Sequence, residues 1–195
     1  MLHLVVPSLK NQEKGFNLIE IAAILVIIGI AGAIGTPSLV NARRQDQVNQ
    51  AHSRIRSTLV EAQINANRLS SSCTVTIGSL SPTDPTKRLV TASPSSPSGC
   101  VLETIDYESS VVSVSRGSPT SGNLPNDVTY TFRGTVEPPG AQTIWVARKD
   151  FDGTVLQYTA KCIVVSPVGM IRTGIIDSSG GCYNVENDRY DSSTQ

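Results

Sequence analysis

Between Ile21 and Ala42 the chain carries no charged side chain, and the run that opens this stretch, FNLIEIAAILVIIGIAGAIGTP from Phe16 to Pro37, is apolar on every side of a helix. About 21 helical residues at 1.5 Å each reach about 31 Å, enough to cross a bilayer. A soluble domain of 195 residues rarely encloses such a helix, because a surface helix needs a polar face. The rest of the composition sets the context. Sixteen basic residues balance sixteen acidic ones, and charged residues make up only 16%. That excludes a histone-like basic protein, an acidic tail and a charge-driven disordered chain.

The polar residue inside this run decides among three readings. In a secretory signal peptide, Lys10 and Lys14 would form the charged region, residues 18–30 the apolar core and Ala31-Gly32-Ala33 the cleavage site. A plain membrane anchor would keep the whole segment. Both leave Glu20 in the apolar run without a purpose, where an ionised carboxylate is costly. In the third reading, Gly15 precedes a cleavage point, Phe16 follows it, and Glu20 is the fifth residue after it. This pattern resembles the type IV pilin superfamily, which comprises type IV pilins, minor pilins and type II secretion pseudopilins. Gly29 and Pro37 fall where many pilins carry Gly and Pro, and Asn17 departs from the commoner Thr.

The resemblance implies a leader at 1–15, removed by prepilin peptidase between Gly15 and Phe16, with methylation of the new Phe16 amine. It implies a transmembrane and filament-core helix at 16–37, in which Glu20 meets the terminal amine of a neighbouring subunit and sets axial register. Small residues, Gly29, Ala31, Gly32, Ala33 and Gly35, allow close helix approach. The Gly29-x-x-Gly32-x-x-Gly35 spacing is no nucleotide loop, since no strand precedes it. The implied partners are prepilin peptidase, other pilin subunits, an inner-membrane assembly platform and membrane lipid. The implied location is the inner membrane, single-pass, with the C-terminal head outside the cytoplasm, and a pilus or pseudopilus after assembly.

After Pro37, which is expected to kink the helix, the chain turns amphipathic over 38–72. Val48, Ala51, Ile55, Leu59, Ala62, Ala66 and Leu69 recur at intervals of three and four, one helical face. Arg43, Arg44, Arg54, Arg56 and Arg68 fall opposite, as a solvated face or as a surface for subunits or anionic lipid. The two halves make one helix of about 55 residues. From Cys73 helical periodicity stops, and 73–195 reads as a β-rich head. Strands are expected at 73–77, 87–92, 100–105, 110–115, 128–132, 143–148, 155–159, 162–165 and 170–173, with Asp152-Gly153 turning a hairpin between Val146 and Leu156. The fold class is therefore α+β, a long N-terminal helix packed on an antiparallel β-sheet head. The helix end AQINANRLSSSCTVTI, the stretch YTFRGT (130–135) and IVVSPVGMIRTG (163–174) resemble the GspH/FimT group of minor pilins and pseudopilins.

All four cysteines, Cys73, Cys100, Cys162 and Cys182, lie in the head. None has C-x-x-C spacing, so no zinc site is legible. An extracytoplasmic head favours disulfides. Three pairings are possible, and the local pairs Cys73–Cys100 and Cys162–Cys182 are favoured over the longer loops. No catalytic, metal or cofactor motif stands out. His3 lies in the leader, His52 sits on the helix without a Cys or Ser motif, Asp150 and Asp152 flank a turn, and no phosphate loop occurs. The expected function is a non-enzymatic structural subunit of a type IV pilus or type II secretion pseudopilus. One alternative is a non-polymerising membrane-anchored binding protein. Another is a DNA-binding minor pilin, because some such proteins carry a C-terminal Gly-Arg-x-Arg loop. Here the match is Gly169-Met170-Ile171-Arg172, with the first Arg replaced by Met. Arg133 and Arg148 could join Arg172, but nine basic against twelve acidic residues from Cys73 onward leave the head at −3, which argues against nucleic acid as a partner.

Overall fold

A computed structural model describes residues 18–119, 126–176 and 180–183, with residues 31–37 and 183 described by backbone alone. The first element is α1, Leu18–Leu69, 52 residues long, with Pro37 inside it. Two compact units divide the chain, residues 1–41 and 42–195. In the first, the described side chains of α1 from Leu18 to Ile30 are apolar or glycine apart from Glu20. In the second, Val48, Ile55, Leu59, Ala62 and Ala66 are fully buried and Ala51 nearly so. The three-four periodicity thus becomes a continuous apolar seam. Leu69, its last member, is 40% exposed, because the helix ends there and Ser70 takes a positive φ of 51°.

The seam packs on two antiparallel sheets. The first contains β1 (Cys73–Leu80), β2 (Lys87–Ala92), β3 (Ile105–Glu108), β5 (Asn126–Tyr130) and β6 (Val136–Glu137), in the order β3-β2-β1-β5-β6. The second contains β4 (Val112–Arg116), β7 (Gln142–Lys149), β8 (Val155–Val165), β9 (Ile171–Ile176) and β10 (Cys182–Tyr183), in the order β10-β9-β8-β7-β4. Period-two alternation sends Val75, Ile77, Val128 and Tyr130 of the first sheet, and Val112, Val114, Ile144, Val146, Ile163 and Val165 of the second, into one core with the helix seam. A smaller cluster of Trp145, Ala147, Ala160 and Cys162 occupies the other face of the second sheet. There Trp145 donates its indole N–H to the Gly117 carbonyl at 3.2 Å.

Several expectations need correction. Residues 100–104 form no strand, and β3 begins only at Ile105. Their backbone groups find partners elsewhere. Cys100 N–H donates to Pro97 O in a turn, Asn65 Nδ2 donates to Cys100 O at 3.2 Å, and Glu61 Oε1 accepts from Leu102 N–H at 3.0 Å. The helix therefore takes the hydrogen bonds a ladder would have used. The segments at 155–159 and 162–165 belong to one strand, because β7 pairs with both ends of β8, Val155-Leu156 and Lys161 to Val165, across an irregularity between them. The short strands β6 and β10 were not expected. The hairpin at Asp152-Gly153 is present, with Gly153 at φ 87° and Arg148 opposite Leu156.

Candidate functional site

The candidate assembly surface starts with α1. Leu18 is 84% exposed, and Ile19, Ile21, Ile24, Leu25, Val26, Ile27, Ile28 and Ile30 are all exposed as well. Glu20 stands among them, also exposed, in the first helical turn, where a carboxylate complements the helix dipole. A Cβ placed on Gly29 would meet nothing within 4 Å, so this part of the helix is smooth. Gly15 and Phe16 lie outside the described residues. Among the described residues no helix is long and apolar enough to cross a membrane. The described side chains of the apolar run end at Ile30, about 18 Å along the axis from Leu18.

The basic residues of α1 do not behave as one stripe. Arg43, Arg54, Arg56 and Arg68 are exposed. Arg44 is half-buried instead. Its guanidinium lies 3.7 Å from the centroid of the Phe151 ring and donates to the Lys149 carbonyl at 3.3 Å. It thus holds the β7–β8 hairpin against the helix by a cation–π contact and a charge-assisted hydrogen bond. The spacing of arginines on the helix gave no sign of this, because Phe151 is remote in sequence.

His52 is the one described histidine. Its Nε2 lies 3.2 Å from the Cys162 carbonyl across the helix–sheet interface, so the neutral ring donates there. Burial pushes its pKa below the usual value, and nearby Lys161 and Arg56 push the same way, against the hydrogen bond to Cys162.

Two disulfides staple the head. Cys73 is joined to Cys100 with Cα atoms 5.5 Å apart, and Cys162 to Cys182 at 6.0 Å. The first ties the start of β1 to the turn at 100. The second ties the middle of β8 to β10, across β9. Among the described residues no group of three His, Cys, Asp or Glu side chains could hold a metal ion. Asp150 and Asp152 each accept backbone N–H groups within their turn, from Phe151 and Thr154 at 2.8 Å.

The arginines considered for nucleic acid separate. Arg148 stands opposite Leu156 of β8 and Arg172 opposite Val164. On β7 the partners of Leu156 and Val164 are Arg148 and Thr143, five residues apart, so the two arginines are offset by about 17 Å along the strands. Arg133 is nearer Arg172, since its loop (131–134) meets the loop before β9. Gly169 there packs on Gly134, Val136 N–H donates to Pro167 O, and Gln63 Nε2 of the helix donates to Gly134 O at 3.0 Å. Sequence reasoning marked Gly169 only as part of an arginine motif. Its observed place is a backbone-to-backbone contact at φ 85°.

No protein-family model matches the chain, and no curated protein matches it. In structure it is similar to the type IV minor pilin FimU of Pseudomonas aeruginosa. One crystal form of that protein gives 17% identity over 71% of this chain and 93% of that one, with a TM-score of 0.45. A second crystal form gives 17% identity over 69% and 96%, with a TM-score of 0.44.

Proposed function

We propose that the chain is a structural minor pilin or pseudopilin subunit, cleaved by prepilin peptidase between Gly15 and Phe16, methylated on the Phe16 amine, held in the inner membrane by its N-terminal helix and assembled into a type IV pilus or type II secretion pseudopilus. The observation that carries the reading is the apolar face of α1. Nine large aliphatic side chains from Leu18 to Ile30 are exposed, and each would gain about 1.5–3 kcal/mol on full burial. Such a surface needs lipid, a bundle of like helices, or each in turn. Glu20 selects the bundle. In lipid it is a cost of about 2.5 kcal/mol when deep, whereas in a bundle it can meet the positive amine of a neighbour. The work of the head is then recognition and spacing between subunits, with no chemistry of its own.

The test is the ratio of filament-associated to membrane-associated subunit for Glu20→Val, with the mature N-terminus read by intact mass. The proposal expects a start at Phe16 in both proteins, and normal membrane insertion with reduced filament incorporation for the variant. A mature start at Ile34 would support the signal-peptide reading, and an uncut chain the plain anchor. Equal incorporation at normal cleavage would mean that Glu20 does not set the register, and absence of both proteins from filaments would favour a membrane-anchored protein that does not polymerise.

A further inference from the structure

At the junction of the two sheets, where the turn after β3 leads into β4, the head forms a half-open cavity of about 100 Å³, lined by Arg88, Tyr107, Ser109, Ser113, Lys149 and two valines. A water occupies about 30 Å³ of liquid, so the space suits a group of about three to five heavy atoms. Arg88 and Tyr107 are directly opposed on β2 and β3, which puts their side chains on the same face of the first sheet. Lys149 ends β7 in the second sheet, and its ammonium donates to the Ser109 carbonyl at 2.8 Å. That bond uses one of its three N–H groups. Arg88 makes a long hydrogen bond, 3.4 Å, to Gly78 O, which leaves most of its five donors free of a close partner there. Tyr107 is only 7% exposed, and its buried hydroxyl has no hydrogen-bond partner in the structure.

The charge of this cavity is one-sided. Arg88 and Lys149 contribute two cations, and no carboxylate lines it. The nearest acids in sequence, Asp106 and Glu108, flank Tyr107 on β3 and line a separate groove against the helix, with Arg54 and Lys87, rather than this cavity. They are also engaged. Asp106 pairs with Lys87 at 2.6 Å, and Glu108 accepts from the Ser110 hydroxyl at 2.8 Å. Two cations gathered in a partly buried space repel each other, and a buried phenol without a partner is unfavourable. One negatively charged acceptor would relieve both.

We infer that the junction cavity of Arg88, Lys149 and Tyr107 is a binding site for a small oxyanion, a phosphate, sulfate or carboxylate group. Arg88 and Lys149 supply charge and charge-assisted hydrogen bonds, and the Tyr107 hydroxyl supplies a neutral donor already desolvated. Because the wall draws on β2, β3, β4 and β7, occupancy ties the two sheets together. The site stands on the geometry of the head and does not depend on filament assembly.

The test uses the full chain in detergent micelles, titrated with sodium phosphate, sodium sulfate or sodium acetate against sodium chloride at constant ionic strength. Thermal unfolding and calorimetric titration are read in parallel. The expected result is a saturable rise in Tm with at least one of the three oxyanions and none with chloride. Response to phosphate and sulfate without acetate assigns a tetrahedral oxyanion, and response to acetate alone assigns a carboxylate. Arg88→Gln and Lys149→Gln should each weaken binding about 10-fold or more, the scale of a lost hydrogen bond to a charged group. Tyr107→Phe should weaken it roughly 5-fold while leaving the anion-free Tm unchanged or higher, since it removes an unpaired hydroxyl. That last variant decides the question if either charge variant folds poorly. No saturable response to any oxyanion beyond chloride overturns the proposal. So does a response that Arg88→Gln and Tyr107→Phe leave unchanged.

Discussion

Replacing Gly169 with alanine tests how the end of the head is closed. Gly169 has φ 85°, and a Cβ there would overlap the Gly134 carbonyl oxygen and the Gln63 side-chain amide. The left-handed conformation alone costs an L-residue about 1–2 kcal/mol. Overpacking against a rigid neighbour adds about 1–3 kcal/mol, and reduced freedom of the unfolded chain returns about 0.4–1 kcal/mol. The net expectation for Gly169→Ala is a loss of about 2–4 kcal/mol. At about 2–4 °C per kcal/mol for a domain of this size, Tm should fall by roughly 5–15 °C. Gly153→Ala is the matched control. Its φ is 87°, yet a Cβ there meets nothing within 4 Å, so only the conformational cost less the same unfolded-state return applies, about 1 kcal/mol, and Tm should fall by roughly 2–4 °C. Gln63→Ala in the Gly169→Ala background should restore only a minor part, because the obstructing Gly134 oxygen belongs to the backbone. The assay is thermal unfolding followed by near-ultraviolet circular dichroism of Trp145, the single tryptophan, which is buried in the second sheet. Equal losses for Gly169→Ala and Gly153→Ala would refute the close-approach argument and leave only the φ argument standing.

Other outcomes follow from the same contacts. Because burial lowers the pKa of His52, the unfolded chain takes up a proton first as pH falls. The His52 contribution is therefore fully present above about pH 6.5 and is lost as pH drops through the lower folded value. Urea midpoints between pH 8 and 5 should fall more for the wild type than for His52→Gln, and equal slopes would remove His52 from the explanation. Replacing both Cys162 and Cys182 with serine opens a loop of separation 20, worth about 3 kcal/mol in the chain-entropy model. The denaturant midpoint should drop accordingly, and no change would mean the pair is not bonded in the mature protein. Arg44→Ala should loosen the β7–β8 hairpin by about 0.5–2 kcal/mol, read as faster amide exchange at residues 149–155 with the first sheet unchanged. Uniform exchange across both sheets would contradict a local role.

The seven-position face at 48–69 was legible because a helix that packs along its length must repeat its apolar residues every three or four positions, and all but Leu69 are buried. The long strands were legible for the matching reason, alternation at period two, and Asp152-Gly153 because a tight reversal needs a residue with φ above zero, here Gly153. The apolar run around Glu20 constrained the functional reading for a similar local reason, since each residue type there has to suit its own surroundings. What the tertiary structure alone decided depends on residues far apart in the chain. The segment 100–104 has strand-like composition, but side chains of α1 and the disulfide to Cys73 satisfy it as a turn. Arg44 looks like a surface charge until Phe151 arrives beneath it. Gly169 looks like part of an arginine motif until Gly134 packs against it. Arg88, Tyr107 and Lys149 share no spacing, and only the pairing of β2 with β3 and the crossing into β4 and β7 bring them around one cavity. Periodicity records what a residue does within its own helix or strand, whereas these contacts come from how elements distant in sequence are stacked, which no local pattern encodes.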